Sequence, residues 1–300
     1  MQSNNEPWNL LQHLLRGEPY MTKAHKEKIK GLKRQVFTKH YEEYSYSDVF
    51  QGVLNDMKLN NPVMLVGPAG CGKSTLLYKV SQKLELPYYP MSVNSHTTVY
   101  DIVGYKNANG DYVGTAFRDA YEKGGIFSFE EIDAGNPNVL TVIHQALDTS
   151  DFYLFPDGSV KKHKDFRLCA SANTYGNGPT RQYVGRNPLD AATLDRFAVV
   201  DVDYDEDLER QIGPVIEWTV FIQALRHVVS VRSQELPPII ISTRAVVLGG
   251  RDVQSGTDWD AALRKFVWRG ISLKPEVINA IKREAFELFI NNYFRYERTK

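Results

Sequence analysis

The sequence has few cysteines, no long apolar run and no net charge. Only Cys71 and Cys169 are present, too few for a disulfide framework and without the spacing of a metal site, which favours a reducing compartment. No apolar run approaches the roughly 20 residues needed to span a bilayer, and the start MQSNNEPWNL lacks the basic and apolar segments of a signal peptide. Basic and acidic residues number 36 each, so net charge nominates neither nucleic acid nor an anionic membrane as a partner. We therefore expect a protein of the cytoplasm that does not associate with a membrane.

The order of apolar segments indicates an α/β fold. With 42% hydrophobic and 24% charged residues, the composition is that of an ordinary globular chain. The run VMLV is typical of a buried parallel strand, and helical periodicity from Thr75 to Leu84 follows the glycine-rich loop behind it. Further strands are predicted at YYPMSV, GIFSF, the segment that ends at Asn173 and FAVVDVDY, with helices between them. This alternation predicts a parallel sheet covered on both faces.

The pattern changes at both ends of this α/β segment. We predict a short helical extension over residues 1–48, an α/β core over 49–204 and an all-helical domain over 205–300, where four segments suit helices. The extension contains the basic stretch KAHKEKIKGLKRQVFTKH, which includes Lys28, Lys30, Lys33 and Arg34. A solvated helix face is the favoured interpretation of this stretch, and contact with the phosphate backbone of nucleic acid is the alternative.

Two hairpins and a further helix are predicted inside the core. Asn109-Gly110, between Tyr105 and Tyr112, is a strong signal for a two-residue hairpin turn. Pro156-Asp157-Gly158 predicts a second turn after the strand FYLF. A helix is predicted over residues 138–149.

The glycine-rich loop has the spacing of a phosphate-binding loop, GxxxxGK[ST]. Its chemistry needs glycines because backbone N–H groups must approach phosphate oxygens closely. Lys73 would reach the β- and γ-phosphates, Ser74 would ligate Mg²⁺, and the helix that begins near Lys73 would direct its positive end at the anion. Cys71 is expected to be a small packing residue rather than a reactive thiol. The predicted nucleotide-binding residues are Gly67, Pro68, Ala69, Gly70, Cys71, Gly72, Lys73, Ser74 and Thr75.

Two carboxylates end the predicted strand GIFSF, at the edge of a parallel sheet where ligands bind. Adjacent strand residues point to opposite sides, so the pair is expected to divide the work. Glu130 faces the hydrated Mg²⁺, and Glu131 polarises the attacking water as its base.

The order of five motifs resembles that of the AAA+ ATPases, and within them the MoxR and dynein-related branch. The P-loop, FEEID, ASAN, LDRF and STRA follow one another over about residues 50–296. The resemblance implies a P-loop NTPase core with a parallel sheet, a helical lid over 205–300, ATP and Mg²⁺ as ligands, and a homo-oligomeric ring, the hexamer of that family. It also implies that Asn173 is the sensor-1 residue, that Arg196 is the finger supplied to a neighbouring subunit, and that Arg244 is the sensor-2 arginine. The preference for adenine rests on the same resemblance.

Two points within this resemblance are open. Arg181 and Arg186 precede LDRF and rival Arg196 for the trans-acting role, since a guanidinium suits a transferring phosphoryl group. The family usually has Asp then Glu at the strand end, whereas Glu130 moves the metal-facing carboxylate outward by one methylene. We expect this departure to slow hydrolysis or to alter the preference between Mg²⁺ and Mn²⁺.

The segments 94–125 and 152–166 resemble the helix-2 and pre-sensor-1 inserts of that branch. Relatives present such loops toward a central pore, which would let Tyr105 and Tyr112 grip a substrate. Cross-strand packing of the same two rings is an equally supported interpretation.

The favoured function is an ATP hydrolase that works at the subunit interfaces of a ring and remodels or assembles a separate partner protein. One alternative is a nucleotide-gated binding module with little turnover. Another is a nucleic-acid-associated motor that uses the basic stretch. No residue identifies the substrate.

Overall fold

The computed structural model describes residues 48–148 and 151–298, with side chains described up to residue 290. The chain divides into two compact units, and the boundary falls between Asp203 and Tyr204. The helical extension predicted over residues 1–48, with its basic stretch, lies outside the described residues except for Asp48, which begins a helix.

The first unit is built on a parallel sheet. The described strands are β1 (Val63–Val66), β2 (Tyr88–Ser92), β3 (Tyr105–Lys106), β4 (Tyr112–Val113), β5 (Gly125–Glu130), β6 (Phe152–Phe155), β7 (Gly158–Lys161), β8 (Phe166–Ala172) and β9 (Ala198–Asp201). Five of them pair in parallel in the order β2-β5-β8-β1-β9, and the pairs β3–β4 and β6–β7 form antiparallel hairpins. The predicted parallel sheet is therefore confirmed.

The strand order creates a crevice in the middle of the sheet. The chain leaves β1 toward β2 at one edge, whereas it leaves the neighbouring strand β8 toward β9 at the other edge. Ligands bind outside the carboxyl ends of parallel strands where connections diverge in this way. The loops after β1 and β8 are thus the first place to look for a site.

Burial on both faces explains why β1 is continuously apolar. Val63 and Leu65 pack into a core with Leu77 of the following helix. Met64 and Val66 belong to the core on the opposite face, because successive side chains of a strand point to opposite sides.

Helices cover the sheet, and one of them differs from the prediction. The described helices of this unit are Asp48–Lys58, Lys73–Leu84, Val99–Val103, Ala116–Lys123, Pro137–Leu140, His144–Leu147 and Ala191–Leu194. In place of a single helix over 138–149, two short helices are joined by the 3₁₀ turn Thr141–Ile143. All three residues of that turn are β-branched, which weakens continuous helix.

The β3–β4 hairpin has a longer turn than the predicted two residues. Asn107 donates its N–H to the carbonyl of Asp111 at 2.9 Å, so residues 108–110 form the tip. The side chain of Asn107 accepts hydrogen bonds from the N–H groups of Asn109 and Asp111, both at 2.9 Å. Gly110 has φ 87°, the left-handed conformation that a three-residue tip requires. The hairpin was predicted, but Asn107 sets its length.

The β6–β7 hairpin has the turn that the sequence predicts. Phe155 pairs with Gly158 across Pro156-Asp157. Tyr153 and Phe155 are buried whereas Phe152 and Leu154 are exposed, which is the alternation of a half-buried strand.

The second unit is helical in its described part. Its helices are Glu206–Ile212, Ile216–Val231, Thr243–Gln254, Trp259–Phe266 and Pro275–Arg298. Apolar side chains of the last four helices form one core around Trp218 and Trp259. The helix Glu206–Ile212 was not predicted because its residues EDLERQI lack an apolar stripe. Its first turn is capped by Asp205, whose side chain accepts the N–H of Leu208 at 2.9 Å. No described helix is long and apolar enough to cross a bilayer.

Candidate functional site

The loop between β1 and the helix Lys73–Leu84 has a backbone that requires glycine at three positions. A Cβ at Gly67 would lie 1.9 Å from the carbonyl oxygen of Val202. Gly70 and Gly72 have φ of 75° and 99°, which L side chains rarely adopt. Gly72 is also the N-cap residue and brings no side chain to the helix start. The first N–H groups of this helix therefore remain available to an anion.

Lys73 is folded back over this loop. Its ammonium donates to the carbonyl oxygens of Gly67 at 2.8 Å and Pro68 at 3.0 Å, and to Oδ1 of Asn173 at 3.0 Å. Burial lowers the pKa of Lys73, and the nearby acidic groups oppose that shift. Lys73 and Asn173 thus meet at the point where the loops after β1 and β8 come together.

Ser74 and Glu130, the two residues predicted to hold Mg²⁺, are in contact. The Ser74 hydroxyl donates to Oε2 of Glu130. Hydroxyl and carboxylate oxygens are hard ligands of the kind that Mg²⁺ prefers, so this pair fits a magnesium ion. Burial raises the pKa of Tyr88, whose hydroxyl donates to Oε1 of Glu130 at 2.8 Å.

Glu131 does not lie in the strand. β5 ends at Glu130, and Glu131 has φ 58°, a left-handed conformation. The two carboxylates are thus separated by a backbone turn rather than by strand alternation, contrary to the geometry expected from the sequence. The Glu131 side chain is 55% exposed and accepts a hydrogen bond from Nη2 of Arg186 at 3.0 Å.

Asp133 is a buried carboxylate beside these residues and was not among the predicted site residues. Its Oδ2 accepts the N–H groups of Asn173 at 3.1 Å and Thr174 at 3.0 Å, and the Thr174 hydroxyl at 2.9 Å. Arg186 adds a bond to Oδ1 at 3.3 Å. Asp133 therefore fixes the backbone that carries Asn173. Its position within the FEEID motif was the available signal.

The three candidate trans-acting arginines occupy different surroundings. Arg186 bridges Glu131 and Asp133 of its own chain, with a side chain only 13% exposed. Arg196 lies apart from that cluster and pairs with Asp148 at 2.9 Å while donating to a backbone carbonyl. Arg181 is exposed. Arg186 thus contacts Glu131, the predicted catalytic carboxylate, within its own chain.

The loop after β8 also contacts the phosphate-binding loop. The N–H of Ala69 donates to the hydroxyl of Tyr183 at 2.9 Å. Burial raises the pKa of Tyr183. No pattern in the sequence marked Tyr183, because it lies in an irregular Gly- and Asn-rich segment.

Cys71 is a half-buried free thiol in the phosphate-binding loop. Burial raises its pKa, and the neighbouring Lys73 opposes the shift. A thiol that stays protonated is a poor nucleophile, in agreement with the expected packing role.

Arg244 lies in the second unit, where it is exposed on the helix Thr243–Gln254. The start of that helix is fixed by the buried Glu209, which accepts the Thr243 hydroxyl at 2.7 Å. Glu209 also forms two bonds with Arg226, at 2.6 and 3.0 Å. This network orients the segment that carries Arg244.

The two tyrosines of the β3–β4 hairpin differ in their surroundings. Tyr112 donates its hydroxyl to the carbonyl of Val103 at 2.7 Å, and Arg118 lies over its ring. Tyr105 is 46% exposed and meets the ring of Tyr100 edge to face at 6.5 Å. Tyr112 therefore packs the hairpin, whereas Tyr105 offers part of its ring to solvent.

Comparison with known proteins gives one family match. Residues 62–197 match the family described as AAA domain (dynein-related subfamily). This range includes β1, the glycine loop and every candidate residue described above except Arg244 and its supporting network.

Curated relatives match over part of the chain. The aerobic cobaltochelatase subunit CobS of Sinorhizobium sp is 37% identical over 153 residues, which is 47% of this chain and 46% of CobS. An uncharacterized protein of Staphylococcus aureus (strain USA300) is 29% identical over 185 residues, which is 58% of this chain and 67% of that protein. The chain thus spans about half the length of CobS.

Among solved structures, NtrX from Brucella abortus in complex with ADP aligns with a TM-score of 0.50 and 15% identity. The alignment covers 89% of this chain and 65% of that one. At this identity the likeness concerns the fold alone.

Proposed function

Because this chain carries an AAA domain of the dynein-related subfamily over residues 62–197, we propose that it binds and hydrolyses ATP. We further propose that hydrolysis takes place at the subunit interfaces of a homo-oligomeric ring, a hexamer, and that the cycle remodels or assembles a partner protein. The observation that carries the proposal is the meeting of Lys73, Ser74, Glu130 and Asn173 at the carboxyl edge of the sheet.

Nucleotide binding would use the glycine loop and the start of the following helix. The N–H groups of Gly70 and Gly72 to Thr75 offer donors to phosphate oxygens, and the helix Lys73–Leu84 adds its positive end. When nucleotide binds, the Lys73 ammonium would give up its hydrogen bonds to the carbonyls of Gly67 and Pro68 and donate to the β- and γ-phosphates instead. Ser74 and Glu130 would hold Mg²⁺, which neutralises phosphate charge when bound.

Hydrolysis would depend on Glu131 and Asn173. The carboxylate of Glu131 would accept the proton of the attacking water, and the Asn173 amide would orient that water or the γ-phosphate. Arg196 is the residue we propose for the trans-acting role, since Arg186 already pairs with Glu131 and Asp133 in the same chain. Arg244 is the residue that we propose for the sensor-2 role.

The likeness to CobS supports a role alongside other proteins. By its name CobS is one subunit of a chelatase, and we propose that this chain likewise works with a separate protein partner. The cytoplasm is the location that we propose, since it supplies ATP and keeps the free thiols of Cys71 and Cys169 reduced.

A second function, a nucleotide-gated binding module with little turnover, is favoured by one observation. Arg186 pairs with Glu131 at 3.0 Å and holds the proposed base in an ion pair. Comparing phosphate release by the wild type and Glu131→Gln separates the two functions, because the substitution changes nothing if turnover is already absent. The nucleic-acid motor rests on the basic stretch outside the described residues, and loss of salt-dependent DNA binding on replacing Lys28, Lys30, Lys33 and Arg34 would support it.

The ring is tested by oligomer mass with and without ATP, together with subunit mixing. Arg196→Ala should bind ATP without turning it over. Mixing it with Lys73→Ala should restore activity, because one subunit then supplies the arginine and the other the binding loop. An ATP-independent monomer, or no recovery on mixing, would contradict the composite site.

A further inference from the structure

Four hydroxyl groups converge on the carboxylate of Glu130. Oε1 accepts hydrogen bonds from Tyr88 and Ser128, each at 2.8 Å. Oε2 accepts from Ser74 and from Ser171, the latter at 2.8 Å. A carboxylate has about four acceptor positions, so these four donors saturate it.

The hydroxyls come from four elements that the fold brings together. Ser74 belongs to the helix after the glycine loop, Tyr88 to β2, Ser128 to β5 and Ser171 to β8. Ser128 and Ser171 are buried. Tyr88 and Ser171 therefore approach Glu130 from the two strands that flank β5, whereas Ser128 lies on β5 itself and Ser74 on a helix.

Tyr88 and Glu130 are not paired with each other in the register of β2 and β5. The partner of Tyr88 across β2 and β5 is Ile126, whereas the partner of Glu130 is Ser92. The phenol must therefore extend along the strands to the carboxylate, which a serine or threonine at position 88 could not do. The ring of Tyr78 meets that of Tyr88 edge to face at 6.0 Å and supports this direction.

We infer that Tyr88 and Ser128 are positioning residues that hold Oε1 of Glu130, so that Oε2 is presented together with Ser74 to the Mg²⁺ of a bound nucleotide. This inference rests on the proposed function. A glutamate has one more rotatable bond than an aspartate, and its carboxylate would otherwise occupy several rotamers. Hydrogen bonds to a ligating carboxylate restrict its orientation and tune the affinity of a metal site.

The inference is tested by metal binding rather than by activity. Mn²⁺ is the probe, since it takes the same oxygen ligands as Mg²⁺ and its free form is measured by electron paramagnetic resonance in the presence of ADP. Tyr88→Phe keeps the ring and removes the hydroxyl. We expect the Mn²⁺ concentration for half-saturation to rise about tenfold, with ADP affinity in EDTA unchanged.

Two further variants sharpen the test. Tyr78→Phe is the matched control and should leave Mn²⁺ binding unchanged, because among the described residues the Tyr78 hydroxyl has one hydrogen-bond partner, the exposed Gln82 amide, which donates to it at 3.3 Å. Ser128→Ala should weaken Mn²⁺ binding in the same direction as Tyr88→Phe. In a Glu130→Asp background, Tyr88→Phe should add less than about twofold, since the shorter side chain no longer reaches the phenol.

The outcomes separate this inference from the function on which it rests. Wild-type Mn²⁺ affinity in both Tyr88→Phe and Ser128→Ala overturns the inference and leaves the proposed function standing. The inference is also overturned if Tyr88→Phe lowers Mn²⁺ affinity as much in the Glu130→Asp background as it does when Glu130 is present. A wild-type protein that binds ADP in EDTA but no Mn²⁺ removes the proposed metal site and the inference together.

Discussion

Replacing Arg186 tests whether this arginine stabilises the chain to which it belongs, through its pairs with Glu131 and Asp133, rather than acting on a neighbouring subunit. The guanidinium donates to Asp133, which is fully buried, and to Glu131, which is 55% exposed. A hydrogen bond to a buried charged group contributes about 1.5–3 kcal/mol, whereas an exposed ion pair contributes at most about 1 kcal/mol. Asp133 keeps three other donors, which limits the loss. We expect Arg186→Ala to lower the free energy of unfolding by about 2–3 kcal/mol.

Urea unfolding followed by far-ultraviolet circular dichroism measures this loss. Hydrogen exchange at the amides of Asn173 and Thr174 localises it, since both donate to Asp133. Gln182→Ala is the control in the same loop, with an exposed side chain and an expected change within about 0.5 kcal/mol. Equal stability of the two variants would refute the reasoning. So would recovery of Arg186→Ala activity on mixing with Lys73→Ala, because a residue that serves its own chain cannot be donated.

Three further predictions concern the glycine loop, the helical unit and the helix Asp48–Lys58. Tyr183→Phe should tighten ADP binding by up to about tenfold in calorimetric titration, because its hydroxyl occupies the Ala69 N–H that a phosphate would use; weaker binding would show that Tyr183 contacts the ligand instead. Gly249→Ala should destabilise the protein by about 1–3 kcal/mol, because the added Cβ would lie 2.5 Å from the Trp218 ring. Gly52→Ala, inside a helix with nothing within 4 Å of the added Cβ, should stabilise it by about 0.5–1 kcal/mol; thermal unfolding in which both variants shift the same way would contradict this account.

The parts of the fold that depend on local pattern were predictable. The buried run at β1 and the glycine spacing at Gly67 to Ser74 indicated the strand, loop and helix because period and turn chemistry act over a few residues. The helix Glu206–Ile212 was missed because tertiary contacts of Glu209 with Arg226 and Thr243 stabilise it, and no apolar stripe does.

The site was predictable by residue type and much less by contact. Chain order indicated that Glu130 and Asn173 lie at the ends of strands, and the parallel sheet brings such strand ends to one edge. The left-handed backbone at Glu131 and the pairing of Arg186 depend on a turn and a long loop that carry no periodic signal. The roles of Asp133 and Tyr183 depend on hydrogen bonds between residues that are distant in sequence, which no local pattern indicates.

Phosphate release from ATP by the wild type, Glu131→Gln and Lys73→Ala is the most direct test of the composite site. We predict a wild-type rate per subunit that rises with subunit concentration, as interfaces form. Glu131→Gln should keep ATP binding but lose at least about a hundredfold in turnover, because its proton acceptor is gone, and Lys73→Ala should lose binding. A wild-type protein that binds no ATP, or Glu131→Gln that releases phosphate at the wild-type rate, would contradict the account.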